Sequence, residues 1–132
     1  MDLTATQDIS ELVHHLNRGI AIHDAQLDAI LEKLQDYECW SLYFRLLEAQ
    51  IDNPKKRQLV HYVQTARAYA VHLEDIHKAA KVCVKLLKDL KLGYVDFREK
   101  ALHVIIGEQE YENEAILLQA ILPRLRNKED VG

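Results

Sequence analysis

Seven histidines are the first residues in this chain whose type could do chemistry, as metal ligands or as proton-transfer groups. Their spacing supports neither role. His72 and His77 straddle a helix corner instead of sharing one face at i and i+4, so they are poorly placed to grip a zinc ion together. His14 and His15 are adjacent and flank an apolar face. His23 precedes Asp24, which is placed to cap a helix. Glu108, Glu110, Glu112 and Glu114 alternate along a turn and a helix start, where carboxylates favour the positive end of the helix dipole. Cys39 and Cys83 lie far apart and form no CxxC pair, so neither a zinc site nor a disulfide framework is indicated. There is no glycine-rich phosphate loop and no nucleophile elbow. The expectation is a non-catalytic protein with no cofactor and no bound metal.

Composition points the same way. A chain of 132 residues with 48% hydrophobic residues buries a real core without staples and is most simply one domain. A formal charge of −4 argues against a general nucleic-acid binder, although Lys55-Lys56-Arg57 forms a local basic cluster. No apolar run approaches the length of a membrane span, and the start Met1-Asp2-Leu3-Thr4 lacks a leader pattern. Two scattered cysteines suit a reducing compartment. A cytoplasmic location without membrane insertion follows as an expectation.

The elements that must position any site are helical throughout. Leu, Ala, Glu, Lys and Gln dominate, and four glycines and two prolines leave few turn residues. Asp8, with Glu11 three residues on, opens a first helix that Gly19 closes. Asp24 caps a second helix to about Gln35. Helix three spans about Glu38 to Ile51 and buries Trp40, Tyr43 and Phe44. Asn53-Pro54 reads as the start of a long fourth helix reaching Leu73, with its face at Leu59, Tyr62, Val63, Ala66, Tyr69 or Ala70, and Leu73. Asp75 caps a fifth helix to about Leu90, and Gly93 suits its C-terminal cap. A sixth helix follows from Tyr94 to Ile106, ended by Gly107. The seventh spans about Glu110 to Arg126, where Pro123 is expected to kink or shorten it. Beyond it, Asn127 to Gly132 is expected to fray.

Within this plan the stretch from Lys56 to Leu122 repeats itself. Ala66 is echoed thirty-five residues later by Ala101, Ala80 by Ala115, and Leu87 by Leu122. Two successive helix pairs stacked through small residues account for that echo. The last helix keeps Ile116, Leu118, Ile121 and Leu125 apolar with no polar capping helix after it, as in a piece of a longer chain or an oligomer.

The segment from Ala66 to Leu87 resembles a tetratricopeptide repeat (TPR-like), with Ala66 as the small residue of the first helix, Tyr69 as the aromatic, and Ala79 or Ala80 as the early alanine of the second. Ala101 and Ala115 repeat two of these roles, whereas Val104 stands where the aromatic would be. The echo of thirty-five residues exceeds the family period of about thirty-four. An early tryptophan and a closing proline are also absent. The resemblance implies an all-α fold of antiparallel helix pairs stacked as a short TPR-like α-solenoid of about seven helices. Residues 1–53 would form diverged or capping helices and residues 54–126 two repeat-like pairs.

It further implies that first helices line a concave groove holding a peptide or helix of a partner protein. The inward positions would be Val63, Arg67, Ala70 and Val71 on one helix and Arg98, Leu102, Ile105 and Ile106 on the next. That groove is apolar with two arginines, unlike the carboxylate-clamp subtype, because Val63 and Leu102 cannot act as its lysine and asparagine. An aliphatic segment bearing an acidic group is the expected ligand. The function expected is an adaptor or scaffold, and a small regulatory enzyme or ligand-binding bundle is the alternative. His23-Asp24 does not extend to a metal-dependent phosphohydrolase site, since His14 and His15 lie too close to supply the preceding ligand.

Overall fold

Leucine and isoleucine at helical spacing build the first of two units into which the computed structural model divides, Met1–Ala49 and Gln50–Gly132. Residues 9–19, 22–107 and 111–131 are described, with the backbone alone for 111 and 124–131. The expected cap Asp8 and the residues Glu108 and Glu110 lie outside that set. Among the described residues all regular structure is helical, in seven helices. No helix there is long and apolar enough to cross a membrane.

The first unit holds α1 (Ile9–Asn17) and α2 (Asp24–Asp36), and α3 (Trp40–Ile51) runs across its end. Leu12, Leu16, Leu27, Ile30, Leu31, Leu34 and Leu47 are buried, as i, i+3, i+4 spacing requires. Gly19 closes α1 at φ +76°, a conformation glycine adopts without a steric penalty. Asp24 is the first residue of α2 and His23 its N-cap, so the aspartate acts on the dipole without capping. The α2 end turns at Glu38, φ 56°, and the Cys39 N–H donates to Leu34 O at 2.8 Å, a Schellman closure built without glycine.

In the second unit Asn53-Pro54 makes a turn and not a helix start. The Lys55 N–H donates to Asn53 Oδ1 at 3.0 Å, which holds the chain in a local turn. Helix α4 begins only at Leu59, where the Gln58 N–H donates to His61 Nδ1 at 3.1 Å. From Leu59–Arg67 it continues as a π-helical stretch, Ala68–His72. The wider π turn shifts the register, and Leu73, expected on the buried face, is 40% exposed. Glu74 then turns the chain at φ 52°, and the Asp75 side chain caps α5 (Ile76–Leu90) by accepting from the Lys78 N–H. Lys91, in left-handed conformation, ends α5, so Gly93 is the N-cap of α6 and not the C-terminal cap expected.

Helix α6 comprises Tyr94–Phe97, a second π-helical stretch Arg98–Leu102, and His103–Ile106. Gly107, φ 64°, ends it as expected. Helix α7 (Tyr111–Val131) contains Pro123 and continues past it, beyond the expected end at Arg126 and through the stretch expected to fray. One lost hydrogen bond at the proline does not outweigh the helix formers Leu125, Arg126, Lys128 and Glu129.

Helix α4 packs on α5 and on the last turn of α6, and α5 packs on α7. Their shared core holds Tyr62, Ala66, Ala79, Ala80, Cys83, Leu86, Phe97, Ala101, Ile105, Leu117 and Ile121, with Ile51 from the end of α3. Burial of Cys83 in that core pushes its thiol up to about 12, so it stays protonated and inert.

Candidate functional site

The eight residues expected to line a groove divide sharply by environment. Val63, Ala70, Leu102, Ile105 and Ile106 are buried, and all five belong to the core of the second unit. Val71 is half-buried against the same core. Helical spacing identifies the apolar face correctly, but α4 and α6 close on each other through it and leave no room for a ligand there.

The two arginines have different tasks. The Arg67 guanidinium reaches from α4 to α6, where Nη1 donates to Val104 O at 2.6 Å. That carbonyl lies in the last turn of α6, where backbone acceptors lack intrahelical partners and a cation is favoured by the dipole. A Cβ on Gly107 would come within 3.3 Å of Arg67 Nη1, so glycine serves both the positive φ and this approach. Arg67 is therefore a clamp between helices, with its charge already engaged.

Arg98 is exposed and lines an open depression of about 370 Å³ with Tyr94, Val95, Glu99 and His103. These residues recur along one side of α6 at i, i+1, i+4, i+5 and i+9, carried past the π stretch. Val95 is 65% exposed, the highest value for any large hydrophobic side chain among the described residues. A guanidinium, a carboxylate and an imidazole thus frame an apolar anchor point. The arrangement can hold an aliphatic group and orient its polar neighbours, which is binding chemistry. Sequence reasoning missed Val95, Tyr94, Glu99 and His103. The available signal was that Val95 falls off the buried Phe97, Ala101, Ile105 stripe.

A second depression, about 480 Å³, lies wholly in the first unit and is lined by Val13, Asn17, Arg45 and residues 38–42. The Arg45 Nη1 donates to Asn17 Oδ1 at 3.4 Å across it. Tyr43 and Phe44 are buried as expected of core aromatics, whereas Trp40 is half-buried on the rim.

Between α4 and α5 sits a polar cluster centred on Asp89. Tyr62 Oη donates to Asp89 Oδ2 at 2.7 Å, Lys85 Nζ lies 3.2 Å from the same oxygen, and Arg57 Nη1 3.8 Å. Burial alone would raise the Asp89 pKa, but the hydrogen bonds from Tyr62 and Lys85 and the attraction of both cations hold it below its ordinary value. Burial, then donation to Asp89, raises the Tyr62 hydroxyl well above its ordinary value. Every hydrogen bond here is internal, so the cluster ties α4 and the preceding turn to α5.

Among the described residues no group of three or more His, Cys, Asp or Glu is placed to hold a metal ion. No protein-family model, curated protein or solved structure matches the chain.

Proposed function

We propose that this chain is a non-catalytic interaction module, an adaptor or scaffold, that receives a short segment of a partner protein on the outer face of α6. The observation carrying this reading is Val95, a largely exposed aliphatic side chain set in a depression framed by Arg98, Glu99 and His103. Apolar side chains ringed by charge are the usual composition of a small protein-binding spot. The partner segment places an aliphatic side chain on Val95 and a carboxylate on Arg98.

We also read residues 59–131 as a short TPR-like stack of two helix pairs. In support, α4 packs on both α5 and α6, and α5 packs on α7, so first helix meets first helix and second meets second. Reduced cysteines suit a cytoplasmic setting.

The test is site-specific photo-crosslinking in native cell extract, with the crosslinker at position 95 and, as a control, at exposed position 112 on α7. A protein captured at 95 alone, and bound at least about tenfold more weakly by Val95→Asp or Arg98→Glu, supports the reading; tenfold corresponds to about 1.4 kcal/mol. Melting curves should stay within about 0.5 kcal/mol of wild type, as for ordinary surface changes. Identical capture at 95 and 112 would remove the site.

A further inference from the structure

Two helices of this chain carry single-sign ridges of opposite charge. On α5 every exposed residue is basic or histidine: His77, Lys78, Lys81, Lys85 and Lys88. At about 100° per residue they fall within an arc of about 100° and extend over about 16 Å. The one carboxylate on α5, Asp89, is turned into the cluster with Tyr62 and Arg57. On α2 every exposed charged residue is acidic: Asp24, Asp28, Glu32 and Asp36, each four positions from the next, over about 18 Å. The exposed residues beside them are Ala25 and Ala29, small enough for a second helix to approach closely and for lysine stems to lie flat.

Among the described residues each ridge keeps charges that its own unit does not pair. Lys78 lies 3.9 Å from Asp75, and Lys85 shares Asp89 with Tyr62 and Arg57. Among the described residues Lys81 and Lys88 on α5, and Asp28, Glu32 and Asp36 on α2, take part in no ion pair. Like charges at i, i+3 and i, i+4 destabilise a helix, and each ridge contains three such neighbours. A helix kept only for its own stability would mix the signs.

We propose that these ridges are the two halves of a self-association surface: the acidic ridge of α2 in one copy docks on the lysine ridge of α5 in a second copy. The match is in sign, in length and in spacing, since lysines rise by about 4.5–6 Å along α5 and carboxylates by about 6 Å along α2. Each ridge is exposed on its own unit. The lysine ridge offers no exposed aromatic for base stacking and no arginine fork, which sets a nucleic-acid strand behind an acidic helix as its occupant. Charge steers the encounter, so association is rapid, weak and salt-sensitive. This surface is distinct from the α6 depression and stands or falls without it.

Sedimentation equilibrium of the purified chain tests the proposal. At low salt the weight-average mass should rise with concentration above the 15.3 kDa of one chain and fall back as salt is added. Two charge-reversed variants decide the contact: Lys81→Glu with Lys88→Glu, and Asp28→Lys with Glu32→Lys. Each alone should remain at the mass of one chain, with circular dichroism showing an intact helical fold. Mixed together they should associate again, because each now supplies the ridge the other lacks. A wild type that stays at one chain's mass at low salt overturns the proposal. So does a mixture of folded variants that fails to associate, or single variants that associate as well as wild type. Tighter binding of the wild type to a single-stranded oligonucleotide than to a second copy would reassign the lysine ridge to nucleic acid.

Discussion

Helices α5 and α7 share one apolar spacing and put it to different use. Ala80 and Leu87 of α5 are buried, at 4% and 3% exposure. Their echoes in α7, Ala115 and Leu122, are exposed, Leu122 at 50%. Other equivalents do correspond: Leu86 and Ile121 are both fully buried. Helix α5 lies against α4 and against α7, so a broad stripe is covered. Helix α7 packs on α5, where Leu117 and Ile121 join the core, and the side bearing Ala115 and Leu122 faces solvent. The lesson is that periodicity marks which residues are able to face a neighbour, and the number of neighbours decides how much of the stripe is buried.

The sharpest way to break this contrast is truncation. Leu87→Ala should cost about 2–5 kcal/mol, the range for a buried leucine that leaves a cavity. Leu122→Ala should stay within about 0.5 kcal/mol, as at other surface positions. Urea unfolding of both variants checks it, and comparable losses would mean that α7 is covered on its second side as well.

A smaller effect separates the two flanks of α5. Only the α4 flank is tied through the Asp89 cluster, so Tyr62→Phe should cost about 1.5–3 kcal/mol, the value of a hydrogen bond to a charged group. The pH dependence has a definite sign. The folded-state pKa of Asp89 is depressed, so its contribution is complete above the unfolded value and is lost as pH falls through the folded one. Unfolding curves taken down the acid range should therefore bring wild type and Tyr62→Phe closer together as pH drops. A constant gap would place the stabilisation outside the carboxylate.

Much of the helical plan was legible in the sequence, through Asp75 as a cap, Gly19 and Gly107 as ends, and the Ile76 to Leu90 stripe. The misses have physical causes. Asn53-Pro54 fits a helix start and an Asx-type turn equally, and the Gln58–His61 bond that sets the true start involves residues weak as caps. The π stretches at Ala68–His72 and Arg98–Leu102 change register without any glycine or proline to announce them. Glu38, Glu74 and Lys91 take left-handed turns that composition assigns to glycine.

At the site, Arg98 was legible because it falls off the apolar stripe of α6. Val95 falls off that stripe too, but the repeat register aims the groove at the apolar face of α6 and leaves it out. Val63, Leu102, Ile105 and Ile106 were assigned to a groove because an apolar face reads alike whether a ligand or a neighbouring helix covers it.

The account rests on α5 being packed on two sides and α7 on one, and one paired measurement addresses it most directly: thermal melting of Ala80→Leu and Ala115→Leu beside wild type. Overpacking at Ala80 should cost about 1–3 kcal/mol. The same enlargement at Ala115 should leave stability within about 0.5 kcal/mol of wild type. Equal melting temperatures for the two variants would contradict the account.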